Sequence, residues 1–160
     1  MPTAPLDGQV NFGTAFAPGA ASLQRAVISL TSAQLLALET TAIQVVPAPG
    51  INFTILPVFA AIYFTGGSVA YTNAGGAVQF QVGSRAQSLA EGFITTVSPN
   101  TTVQYCTLAS ATSTAANPPT DINAPLNIAK ITNNYAAGNG TAVVEVWYRI
   151  MEVPPVAPTM

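Results

Sequence analysis

The chain has 160 residues, of which only 6% are charged and 49% are hydrophobic. Ordinary soluble domains carry roughly 25% charged residues, whereas disorder pairs high charge with low hydrophobicity, so a folded domain with a sizeable core is expected. The net charge is −2 and the four basic residues, Arg25, Arg85, Lys130 and Arg149, are scattered. Nucleic-acid binding needs clustered cations and is therefore excluded from the expectations.

In chain order, residues 1–22 read as an extended N-terminal arm, with Pro2, Pro5 and Pro18 interleaved with Gly8, Gly13 and Gly19. Such composition favours polyproline-like chain over packed elements. The start "MPTAPLDGQV" has no basic region followed by an apolar one, so no secretion signal is read there. "RAVISL" reads as a short strand, and "TSAQLLALE" as the one helical segment, with Thr31 or Ser32 as its N-cap. "TAIQVVPAPG" is a strand closed by Pro47, Pro49 and Gly50. "INFTILPVFAAIYFTGG" follows, with a hairpin turn expected at Gly66-Gly67. "AVQFQVG" alternates, with Val78, Phe80 and Val82 inward and Gln79 and Gln81 outward. "EGFITTVS", "TVQYCTLAS", "APLNIAKITN" and "GNGTAVVEVWYRIM" continue the series. The prolines of "VPPVAPTM" define a C-terminal arm, 153–160. About eight strands and one brief helix, over residues 23–152, predict an all-β fold: an antiparallel β-sandwich of jelly-roll type with extended terminal arms.

The absence of histidine removes Ser-His-Asp and Cys-His catalysis and His-ligated zinc from consideration. The single Cys106 excludes an internal disulfide framework and Cys-rich metal centres, and reads as a buried thiol. The carboxylates Asp7, Glu39, Glu91, Asp121, Glu145 and Glu152 show no pairing that a glycosidase would need, and "PPTDIN" lacks the several acids of a strong Ca²⁺ cage. No phosphate-binding glycine motif occurs. No enzyme activity, metal or cofactor is expected.

Two strands carry the candidate site. Phe53 to Phe64 is apolar on both faces, too short for a membrane helix and interrupted by Pro57, which points to an edge position or a bulge. One face, holding Phe59 and Tyr63, is left to be covered by an arm or a second subunit. In the last strand Ala142, Val144, Val146, Tyr148 and Ile150 form a core face, opposite Val143, Glu145, Trp147, Arg149 and Met151. That second face fits either a subunit interface anchored by Trp147 and Arg149 or a solvent face with Trp147 under a loop. Apolar arm residues complete the interface candidates: Phe12, Phe16, Phe59, Tyr63, Trp147, Arg149, Val153 and Val156. So few surface charges leave a monomer little protection against association. A homo-oligomer is expected, against an ordinary domain surfaced with Thr and Asn.

The order "LTSAQLLALETTAIQVVPAPG", then "YTNAGGAVQFQVGS", then "NAPLNIAKITNNYAAGNGTAVVEVWYRIM" resembles a family of small structural proteins of tailed bacteriophages. The likeness covers roughly residues 25–151. It is a pattern of strands and turns and contains no catalytic signature. It implies a virion component made in the host cytoplasm and placed on the outer surface of the capsid. Such a decoration (cement) protein, often a trimer, stabilises the head by bridging copies of the major capsid protein non-covalently. The alternative implied is a tail-fibre or receptor-binding component. Neither reading involves nucleic acid or a membrane.

Overall fold

The computed structural model describes residues 22–72, 77–83, 85–88, 101–107 and 121–153. Among the described residues there are eight strands: β1 (Gln24–Leu30), β2 (Ile43–Val46), β3 (Phe53–Thr65), β4 (Val78–Val82), β5 (Arg85–Ser88), β6 (Thr101–Thr107), β7 (Leu126–Lys130) and β8 (Thr141–Glu152). The one helix among the described residues, α1 (Ser32–Leu36), lies between β1 and β2. The fold is mostly β, as the alternation of apolar and polar residues predicts. Sheet I has the order β1-β8-β3-β6 and sheet II the order β2-β7-β4-β5, all pairs antiparallel.

The pairing is nested. β4 pairs with β5, β3 with β6, β2 with β7 and β1 with β8. The chain therefore runs as one long hairpin whose tip is at Gly83, between Val82 and its partner Arg85. Gly83 has a φ of 55°, the left-handed conformation that a two-residue hairpin loop demands. Two further pairings, β3 with β8 and β4 with β7, close each half of this hairpin into a sheet.

The two sheets share one core, a β-sandwich-like arrangement. Sheet I contributes Leu30, Ile55, Ile62, Phe64, Val144 and Val146, and sheet II contributes Val46, Val78, Phe80, Val82, Leu126 and Ile128. Each such side chain stabilises the fold by about 1.5–3 kcal/mol through removal from water. The inward positions expected for β4 are buried, as are Ala142, Val144, Val146 and Tyr148 of β8, with Ile150 partly buried. Helix α1 starts at Thr31, whose hydroxyl accepts from Gln34 N, while the Gln34 side chain answers the Thr31 N–H. This reciprocal cap holds a single turn in place and lets Leu35 and Leu38 join the core.

Two sequence expectations need correction. Gly66-Gly67 closes no hairpin, because β3 lies in sheet I and the next strand, β4, in sheet II; the chain crosses between sheets there. Of the edge position or bulge expected at Pro57, the bulge is the one present: Leu56 and Pro57 pair with Arg149 and Tyr148, but Phe59 pairs with Trp147, leaving Val58 extra. β3 is an inner strand, and Pro57 is tolerated because β6 pairs only with Phe59 to Thr65. Second, β5 was not expected, since "RAQS" has no apolar alternation. The segment "EGFITTVS" lies outside the described residues.

Candidate functional site

Because side chains alternate along a strand, the bulge resets which residues of β3 face outward. Beyond it, Ala60, Ile62 and Phe64 enter the core, so Phe59, Ala61 and Tyr63 stand on the outer face of sheet I. On β8 the outer residues are Val143, Glu145, Trp147, Arg149 and Met151, and on β1 they are Arg25, Val27 and Ser29. Register then aligns them in rows across three strands. Arg25, Trp147 and Phe59 form one row, Val27, Glu145 and Ala61 the next, and Ser29, Val143 and Tyr63 the third.

The first row is a stack. Phe59 and Trp147 have ring centroids 5.1 Å apart and tilted by 54°. The Arg25 guanidinium lies 6.0 Å from the Trp147 ring, at the outer limit of a cation–π contact. Trp147 is thus half-buried between an aromatic ring and a cation supplied by its two neighbouring strands.

Glu145 in the second row is buried, at 6% exposure, although it faces away from the core. Its direct neighbours, Val27 and Ala61, are too short and apolar to answer a carboxylate. The partners come instead from the diagonals, two residues along each adjacent strand. Arg25 Nε–H donates to Oε1, and the Tyr63 hydroxyl donates to Oε2 at 3.2 Å. Both oxygens of the buried carboxylate are therefore matched, the condition under which burying a charge is tolerated. In sequence Glu145 and Arg149 flank Trp147 on one face; the structure pairs Glu145 with Arg25 of β1, while Arg149 is exposed opposite Leu56.

Around this polar centre the face is apolar. Val27 is 49% exposed, Val143 37% and Met151 43%. Glu145 is held by two donors, Arg25 and Tyr63, at the centre of this patch. Among the described residues no three of the acid and cysteine side chains converge as a metal site would require. No helix among them is long and apolar enough to cross a membrane.

Four of the sequence-derived candidates, Phe59, Tyr63, Trp147 and Arg149, thus share one face. Val153 lies at the end of β8, its N–H bonded to Asn52 O at 2.7 Å. Phe12, Phe16 and Val156 lie outside the described residues. Arg25 and Val27 were missed, and Glu145 was read onto this face without being singled out. The period-two reading that sorts β8 places Arg25 and Val27 together on one face of "RAVISL", and that signal was present in the sequence.

No family model, curated protein or solved structure matches this chain.

Proposed function

We propose that this protein is a non-enzymatic assembly subunit of a tailed-phage particle. It decorates the outer capsid as a homo-oligomer, a trimer in the simplest arrangement, and bridges copies of the major capsid protein without a cofactor. The observation that carries the proposal is the outer face of sheet I. There Trp147, Phe59, Val27, Val143 and Met151 leave apolar surface around a neutralised carboxylate, on a chain with very few charges to keep copies apart. Aromatic anchors beside arginine are the composition of binding hot spots.

The fold belongs to the same proposal. Eight strands in two sheets, paired as a long hairpin rolled on itself, support a jelly-roll reading, an architecture common in viral shells. The terminal arms, 1–22 and 153–160, then reach neighbouring subunits, where burial repays their ordering.

Immunogold labelling of intact particles with antibodies against the chain tests the reading. Label over the head shell supports decoration. Label confined to the tail or its tip replaces it with a fibre or receptor-binding role, and particles free of label overturn the virion assignment.

A further inference from the structure

Asn139-Gly140, immediately before β8, is the only Asn-Gly pair in the chain. Such a pair is chemically labile, because glycine has no side chain to keep the preceding carboxamide away from its amide nitrogen. In the reaction the Gly140 nitrogen gives up its proton and bonds to Asn139 Cγ, and Nδ2 leaves with that proton as ammonia. Water then opens the succinimide. Attack at Cγ yields aspartate, whereas attack at the backbone carbonyl yields isoaspartate, whose main chain runs through Cβ and Cγ.

The fold holds this carboxamide by both of its polar atoms. Oδ1 accepts from the Val69 N–H at 2.9 Å and Nδ2 donates to Ser68 Oγ at 2.9 Å, while the Asn139 N–H donates to Val69 O at 3.3 Å. Gly67 approaches so closely that a Cβ there would enter the carboxamide. The side chain is thus committed to residues 67–69, on the stretch between β3 and β4. Its neighbour Gly140 is buried, and a Cβ there would meet the Phe64 ring and Thr65 O. The Gly140 carbonyl accepts from the Tyr71 hydroxyl at 2.7 Å. Asn139 itself is exposed, so water and base reach it, and geometry is what restrains the reaction.

We propose that Asn139-Gly140 is a site of spontaneous deamidation that the fold keeps silent, and that reacts only when residues 67–69 lift away from it. Ring closure removes Nδ2, and with it the bond to Ser68, and draws Cγ onto the nitrogen of a glycine packed against Phe64 and held by Tyr71. The two products then meet different fates. With aspartate at 139, one carboxylate oxygen still accepts from the Val69 N–H and the Ser68 hydroxyl turns to donate to the other. Isoaspartate adds a methylene to the main chain directly before Gly140, where the packing has no room for one more carbon. A chain that ages before it folds is therefore sorted: the aspartyl form re-enters the fold and the isoaspartyl form does not. This chemistry is independent of any virion role.

The full-length protein, aged in mildly alkaline buffer either folded or in guanidinium chloride, is the test. Mass spectrometry follows the peptide that holds residues 139 and 140, and isoaspartyl methyltransferase marks isoaspartate. Conversion is expected to be at least roughly tenfold slower in the folded chain, since local opening must precede it. Ser68→Ala, a change at an exposed position, speeds conversion of the folded chain by roughly threefold or more while the rate in guanidinium chloride stays the same. When the aged, unfolded chains are returned to buffer, the refolded fraction carries aspartate and isoaspartate collects in the fraction that fails to refold. Asn139→Asp folds with a melting temperature near that of wild type. Equal rates in folded and unfolded chains, or a Ser68→Ala variant that ages like wild type, overturn the restraint. Isoaspartate spread evenly between the two fractions, or an Asn139→Asp chain that does not fold, overturns the sorting.

Discussion

Two aromatic clusters in this protein use similar parts to different ends. At the end of the sandwich-like body opposite the chain exits, Phe64, Tyr71 and Tyr135 stack edge to face, with centroids 5.9 and 5.4 Å apart. The Tyr71 hydroxyl donates to Gly140 O at 2.7 Å. Lys130, 3% exposed, stands 5.1 Å from the Tyr135 ring and donates to Thr132 O. The outer face of sheet I also combines rings with a cation, Phe59 and Trp147 with Arg25, yet remains half open. What differs is the chain between strands. Gly138 and Gly140 bring the segment before β8 so close that a Cβ at either would enter the ring of Tyr71 or Phe64. The end cluster is sealed by its own backbone, and the Tyr71 hydroxyl and the Lys130 ammonium each donate to a carbonyl. The face cluster is built from residues of neighbouring strands, and its apolar rim of Val27, Val143 and Met151 is exposed.

The sharpest way to break the closed cluster is Gly138→Ala. At a φ of 132° any side chain is strained by about 1–3 kcal/mol, and its Cβ in the Tyr71 ring adds about 1–3 kcal/mol of overpacking. Urea unfolding is expected to show a loss of several kcal/mol, the largest single effect. The face cluster answers with Arg25→Ala, which leaves the Glu145 carboxylate buried without its cation. Because the Arg25 side chain is 60% exposed, screening limits the cost to about 1–3 kcal/mol. The double change Arg25→Met with Glu145→Leu is expected to return stability to within about 1 kcal/mol of wild type, since hydrophobic replacement removes the desolvation problem. A double variant less stable than Arg25→Ala would contradict this account of the pair.

Tyr71→Phe separates the clusters by pH. Burial pushes the Tyr71 hydroxyl up from 10.0 to about 12. Below pH 10 the group is protonated in folded and unfolded chains alike. Between pH 10 and 12 the unfolded chain loses the proton while the folded one keeps it, so stability falls as pH rises, by at most ~1.4 kcal/mol per unit. Tyr71→Phe is expected to cost about 1 kcal/mol at neutral pH and to flatten that alkaline decline. Unfolding curves taken from pH 9 to 12 check both. The smallest folding effect belongs to the open face: Met151→Lys changes stability by less than about 0.5 kcal/mol in thermal melts, yet lowers self-association in sedimentation. A melting change without an association change would make that face ordinary surface.

Much of the local structure was readable beforehand. The cap at Thr31 follows from a hydroxyl placed three residues before Gln34. The bulge follows from a proline that donates no hydrogen bond inside an apolar run. β5 was missed because a strand of Arg, Ala, Gln and Ser owes its place to its hairpin partner β4 and carries no pattern of its own. Half of the candidate site was legible in the same way. Trp147 and Tyr63 were visible as outward residues, whereas the role of Arg25 required knowing which strand lies beside β8.

The sequence by itself determined the β class, the single capped turn of helix, and the inward sets Val78-Phe80-Val82 and Ala142-Val144-Val146-Tyr148. These are properties of neighbours within a few residues, set by sterics and by the two-residue period of a strand. Only the tertiary structure decided that Gly66-Gly67 crosses between sheets and that β1 flanks β8. It also brought Arg25 to Glu145 across 120 positions. Those choices belong to the nested pairing of the whole chain. Many registers would bury the same apolar residues, and the carboxylate, the cation and the tyrosine meet in only one of them.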